Sequence, residues 1–265
     1  MRCSYVNRLL CLVVLCFSSV LQAAADEGLT QVQQAQVQVF RAATDLFIHR
    51  GEGRHAELAA KVERDLGVLQ DSITALQALP LTDSSRLAMA QLQAPLVTFT
   101  ALVLQTLAYN PSEPDLPWEF NFQFSKAQRE LVVALEALEQ QLLKERSQPL
   151  SAAALRLQRL PAKVQYLAAR YTARAYVGDI ETLPEQQQHY LNQDIDVLAG
   201  QVNDELLSLA AELPEGDAQQ RLQRALPRWK FIYPRLQDYS DNLVPMVVER
   251  HAAELASQLQ RLQGR

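Results

Sequence analysis

The chain has 265 residues, 48% of them hydrophobic, and its 25 basic and 30 acidic side chains leave a net charge of −5. A net acidic chain is poorly suited to nucleic acid or to an anionic membrane surface, so neither is expected as a partner. Its three cysteines (Cys3, Cys11, Cys16) all lie near the N-terminus. The rest of the chain therefore has no thiol nucleophile, no disulfide and no cysteine-bound zinc or haem.

In chain order, Arg2 and Arg8 precede an apolar run from Leu9 to Leu21, and Ala23 and Ala25 then stand at A-x-A spacing before Asp26. Residues 1–25 read as a cleaved signal peptide, with an uncleaved membrane anchor as the alternative, and cleavage would place the mature protein in the periplasm. Leu10 and Leu15 precede Cys11 and Cys16, where a lipoprotein box needs a small residue. Without Arg2 and Arg8 the remaining chain carries 23 basic and 30 acidic residues, a net of −7. No later stretch is clean enough to span a bilayer, so the mature chain is expected to lack a transmembrane segment. Leu96 to Ala108, with Thr98, Thr100, Gln105 and Thr106 inside it, reads as a buried core helix.

Glycine is scarce, Ala, Leu, Gln, Glu and Arg dominate, and apolar positions recur three and four apart, so helices are expected throughout. The first runs from about Leu29 to Ile48 and stops at Gly51 and Gly53. The second covers about His55 to Leu79, with Leu58, Val62, Leu66, Leu69, Ile73 and Leu76 as its apolar stripe. Thr82 to Ser85 offers N-cap chemistry for a third helix reaching Tyr109. After the proline-rich loop from Asn110 to Pro117, a fourth helix runs from about Ser125 to Ser147. The fifth covers Ser151 to Val177, with a kink expected at Pro161. The sixth runs from Pro184 to about Leu213, the seventh from Asp217 to Tyr239, and the eighth from Asp241 onward.

The halves repeat one plan. Leu79-Pro80 followed by Asp83 matches Leu213-Pro214 followed by Asp217, and Asp65-Leu66-x-Val68-Leu69 matches Asp194-Ile195-x-Val197-Leu198. Pro95 has a counterpart in Pro227, and Val37-Gln38 in Val164-Gln165. The expected fold is all-α: two tandem up-down four-helix bundles after a signal peptide, residues 26–148 and 149–265. The bundles could stack end to end near Pro149, or merge into one longer bundle.

Residues Leu157 to Gly178, LQRLPAKVQYLAARYTARAYVG, are followed by Leu226-Pro227-Arg228-Trp229 and by a helix opening Asn242-Leu243-Val244-Pro245-Met246. This stretch resembles the periplasmic sensor bundle of type IV pili methyl-accepting chemotaxis transducers (PilJ-like), a family that includes nitrate/nitrite sensor kinases. Tyr166-Leu167-Ala168-Ala169-Arg170 falls where the family has M-L-S-Q-R, and Trp229 near its tryptophan. The likeness spans mainly residues 155–262. It implies a ligand-sensing domain, often a homodimer, that relays a signal to an envelope partner. The family glycine corresponds here to Ala162, and the anion-gripping arginine of the nitrate sensors to Gln165.

The ligand-binding candidates are accordingly Lys163, Gln165, Arg170 and Arg174, which could form an anion pocket or a solvated face pairing with acids of the next helix. His49, Glu52, His55 and Glu57 flank Gly51 and Gly53, but no histidine pair has metal-site spacing, and surface histidines are the simpler reading. His189 and His251 stand alone, so no metal or other cofactor is expected. In Trp118-Glu119-Phe120-Asn121-Phe122-Gln123-Phe124 aromatics alternate with polar residues, which suggests a short extended segment. Trp118, Phe120, Phe122 and Phe124 could pack over the first bundle as a lid or dock an envelope protein, the latter making the chain a ligand-free adaptor. Nothing in the spacing points to catalysis, and a non-enzymatic protein is expected. Trp229, Ile232 and Leu236 follow helical spacing and should be core.

Overall fold

The computed structural model describes residues 3–109, 118–178, 189–238 and 242–263, with side chains from Gln22 onward except that of Trp118. The protein is all-helical, and no strand occurs among the described residues. The helices are α1 (Cys3–Gly51), α2 (Ala56–Ala78), α3 (Asp83–Gln91), α4 (Gln93–Leu107), α5 (Trp118–Glu145), α6 (Ala152–Val177), α7 (Ile195–Glu212), α8 (Asp217–Gln237) and α9 (Pro245–Gln263). A single 3₁₀ turn, Tyr190–Asn192, precedes α7.

Two long helices form the centre. α1 touches α2, α4, α5, α6 and α9, while α6 touches α1, α7 and α9. α8 closes a ring by contacting both α7 and α9, and α3 and α4 both rest on α5. Along the shared α1–α6 seam Gln33 bonds to the Gln158 carbonyl. Phe40 lies 5.0 Å from Tyr166, and the Tyr176 hydroxyl donates to Glu52. The partners climb together, so α1 and α6 run parallel and side by side. A Cβ on Gly51 would fall on the Tyr176 ring, so this crossing needs glycine. One apolar core runs across both halves, from Val32 and Phe40 through Leu131 and Tyr171 to Trp229 and Leu255.

Local chemistry explains most boundaries. The Thr82 hydroxyl accepts the Ser85 N–H and the Ser151 hydroxyl that of Ala154, each satisfying an orphan donor of a first turn. α1 ends where Gly53 and Arg54 adopt positive φ, 83° and 60°. Pro245 opens α9 at a position where its missing N–H costs nothing.

Several elements depart from the sequence reading. α1 begins at Cys3 instead of near Leu29, because the apolar leader run also favours helix; Ala23 to Asp26, the expected cleavage point, lie within it. The expected third helix is interrupted at Leu92: Pro95 cannot donate to the Gln91 carbonyl, and the Leu92 N–H turns back to Met89 at 3.2 Å. Its second part is not a fully buried core helix. Leu96, Phe99 and Val103 are buried, whereas Val97 is 65% and Leu104 49% exposed.

The stretch 118–124 is helix, not an extended segment. Phe120 and Phe124, four apart, turn to one side and meet with stacked rings 6.5 Å apart, and Phe124 packs against Phe47 and Phe99. The helix expected from Pro184 starts at Ile195, since His189 caps the 3₁₀ turn with its own ring; Pro184 itself lies outside the described residues. Pro161 sits inside α6 without ending it. Trp229, Ile232 and Leu236 are buried as expected.

Candidate functional site

A cleft of about 510 Å³ lies between α5, α6 and the 3₁₀ turn, with Gln36 of α1 and Gln201 of α7 also lining it. Its α5 wall carries Glu136 and Glu139, three residues apart and so on one face of the helix. Arg159 and Lys163 stand opposite on α6, one turn apart.

Nearly every charge here is already matched. Arg159 Nε donates to Glu139 at 2.9 Å, Lys163 donates to Glu205 of α7 at 2.5 Å, and His189 meets Glu136 at 2.8 Å. His189 Nδ1 accepts the Leu191 N–H, so its proton sits on Nε2 and is donated to Glu136. Burial raises the pKa of Glu139 above the ordinary carboxylate value despite Arg159. Burial, then the charge of Glu136, pushes the Tyr190 hydroxyl well above its usual range, so it stays protonated and can donate. The Tyr190 ring is held by Tyr166 edge-on at 5.5 Å and by His189 stacked at 4.9 Å.

Of the four residues singled out on this helix, Lys163 alone lines the cleft. Arg170 spans Tyr166 and the Gln193 carbonyl, at 3.3 and 3.0 Å, and fixes the 3₁₀ turn from behind. With Arg174 it borders a neighbouring hollow of about 40 Å³. Gln165 is 1% exposed and lines neither space. The four residues are thus not brought together into one anion pocket: Lys163 and Arg170 share a face but stand two turns apart along α6 and border different hollows, while Gln165 turns into the core. Of the aromatic run, Phe120 and Phe124 are buried and Phe122 is 38% exposed.

His189 had stood alone in the sequence, and Glu136, Glu139, Arg159 and Tyr190 had not been singled out. One signal was available. Glu139 falls on the apolar stripe of Leu131, Val132, Leu135, Leu138 and Leu142, where a carboxylate needs a partner.

A second polar cluster joins α1, α2 and α9. Lys61 Nζ reaches Asp45 at 2.8 Å and Glu249 at 2.7 Å, while Arg41 lies 3.7 Å from Asp65. Asp45 is 1% exposed, and burial, reinforced by its hydrogen bond with Asp65 and opposed by Lys61, raises its pKa to about 7. Burial lowers the Lys61 pKa, but Asp45 and Glu249 outweigh it and hold the ammonium charged. One turn beyond Asp45, His49 is buried and not on the surface, and its pKa is lowered by that burial. Among the described residues no three histidine or carboxylate groups converge as metal ligands would.

Compared with family models, curated proteins and solved structures, the chain matches none.

Proposed function

We propose that the protein is a non-enzymatic periplasmic binding bundle that takes a small polar molecule in the α5–α6 cleft and relays its presence to an envelope partner. The cleft itself carries the reading: about 510 Å³, within the range of small-molecule sites, lined by amides and an aromatic hydroxyl. The ligand is polar and uncharged or zwitterionic. Arg159, Lys163 and His189 are each engaged with a carboxylate, so a bare anion would have to break a pair to bind. Gln36, Gln140, Gln193 and Gln201 and the Tyr190 hydroxyl offer donors and acceptors at no such cost. Export follows from the N-terminal leader.

The architecture we propose is two four-helix bundles descended from one. Val37-Gln38 and Val164-Gln165 are 127 residues apart, and the contacts along the α1–α6 seam pair residues 124 to 126 apart. Equivalent helices therefore lie parallel at the same height, the arrangement that a two-fold axis between two copies would give. The resemblance to sensor bundles that work as dimers fits a chain that supplies both halves itself, and the cleft lies where one half's α5 meets the other's α6. A relay would then act through the α1–α6 seam, since Arg170 ties the 3₁₀ turn of the cleft to Tyr166, which packs on Phe40.

The test is calorimetry of the purified protein with amino acids, sugars and polyols, and with Ala137→Trp as the blocked form. Ala137 is exposed and borders the cleft, so tryptophan there fills the space without entering the core. Saturable binding that Ala137→Trp abolishes is the expected result. Binding that persists in the blocked protein, or no binding by any compound of these classes, defeats the reading.

A further inference from the structure

The side of α3 and α4 turned away from the core carries a pattern that its surroundings leave without a partner helix. Leu87, Ala90, Ala94, Val97, Ala101, Leu104 and Ala108 recur alternately three and four residues apart, and all seven are exposed. Leu87 and Val97 are each 65% exposed. The core-facing side is a separate set, including Met89, Leu96, Phe99 and Val103, all buried. Leu92, between the helices, keeps helical angles (φ −71°, ψ −24°), so the outer row runs on from α3 into α4. Strict spacing of this kind is the seam of a coiled coil, narrower than the stripe a surface helix turns to its own core. Alanine alternating with leucine and valine lets two backbones approach closely.

Charge identifies what covers it. No charged residue occurs from Leu87 to Tyr109 in a chain of net charge −5. Asp83 and Arg86, at the start of α3, pair with each other. The residues flanking the row are Gln91, Gln93, Thr98, Thr100 and Gln105, so it offers no ions to a charged partner. By length and composition Asp83–Leu107 could cross a membrane, but a third of its apolar window is buried inside the protein, and a helix lying on a membrane carries flanking lysine or arginine that this one lacks. Two copies of an acidic chain repel except where they meet on an uncharged face, and this row is such a face for both. A hollow of about 270 Å³ between α2 and α4, lined by Leu66, Leu69, Leu96 and Leu104 with Glu63 and Gln70 on its α2 side, borders the same surface.

We infer that the α3–α4 row is the contact between two copies of this protein, helix against helix around a two-fold axis. This interface is separate from the α1–α6 seam and from the cleft.

The test is sedimentation velocity over a concentration series for the purified wild type, Val97→Glu, Ala101→Glu and Leu207→Glu. Leu207 is 49% exposed on α7, away from the row. The wild type and Leu207→Glu are expected to dimerise, and each of the two row variants to weaken the dimer at least about tenfold, with unchanged circular dichroism. A wild type monomeric at every concentration, or a dimer that survives both Val97→Glu and Ala101→Glu, overturns the inference. So does a monomer that floats with neutral phosphatidylcholine vesicles and ceases to do so in Val97→Glu, which would make lipid the occupant.

Discussion

Two junctions in this molecule have the same parentage under the proposed duplication and opposite finishes. At one, α1 and α2 meet α9; at the other, α6 and the turn before α7 meet α5. The first is closed by ions: Lys61 bridges Asp45 and Glu249, Arg41 answers Asp65, and Asp45 is 1% exposed. The second is open, and its ion pairs line the walls of the cleft without filling it. The number of charges does not separate them, since each holds at least two cations and two carboxylates. The space between their helices does: Glu136, Glu139, Arg159 and Lys163 line a cleft of about 510 Å³. Arg159 is 36% exposed beside Glu139, so its guanidinium keeps a route to solvent. Duplicated packing can thus be made into a brace on one side and a receptacle on the other by the placing of a few polar side chains.

The largest effect is expected from removing the central cation of the closed junction. Lys61→Met leaves Asp45 buried beside Glu249 with no ammonium between them, while Arg41 still answers Asp65. An uncompensated buried charge of this kind costs about 3–5 kcal/mol, read from urea unfolding at pH 8. The deficit should shrink at pH 5, where Asp45 is protonated in the fold. A loss that does not depend on pH would show that Asp45 is already neutral, or that Lys61 acts by packing alone.

Asp45→Asn is the sharper companion. Its carboxyl has a folded-state pKa of about 7 against an ordinary 3.8, so the folded protein binds the proton more tightly than the unfolded chain does. Stability from this group is therefore full below about pH 4 and is lost as pH rises to about 7, at about 1.4 kcal/mol per unit of displacement. Asparagine mimics the protonated acid. The variant should lose that slope and be more stable than wild type at pH 8, by on the order of 2 kcal/mol. An ion-pair partner that stabilises the protein when removed is a strong expectation; a less stable Asp45→Asn at pH 8 would mean that the Lys61 attraction outweighs burial.

How much of this was legible follows from the physics of each signal. Helix type and most boundaries were, because apolar spacing and caps act locally: α2 and α6 begin and end within a residue or two of their expected ends. The break at Leu92 and the helical start of α5 were not. Pro95 was visible but its effect depended on Gln91 finding no other donor, and the alternation of aromatics at 118–124 has the period of a strand until Phe47 and Phe99 are there to receive Phe124. The site was only partly readable. Lys163 stood out on its helix, but the cleft it lines is built from α5 and a 3₁₀ turn remote in sequence. Asp45 and Glu139 were the missed clues, acids on apolar faces whose partners lie on other helices.

The smallest effect is expected in the open junction, and it tests whether openness is the real difference. Glu139→Gln removes the charge that Arg159 answers, yet the glutamine oxygen can still accept from Arg159 Nε and the guanidinium can turn to water. Since burial already disfavours the Glu139 carboxylate, its loss should change stability at pH 7 by about 1 kcal/mol or less. Because burial raises the Glu139 pKa, wild type gains stability from this group as pH falls through the carboxylate range, and the variant should lack that gain. Ala137→Trp should leave stability within about 0.5 kcal/mol of wild type, as surface changes do. If Glu139→Gln instead costs as much as Lys61→Met, the cleft is a second brace whose charges hold the halves together, and a ligand entering it would have to compete with the fold itself.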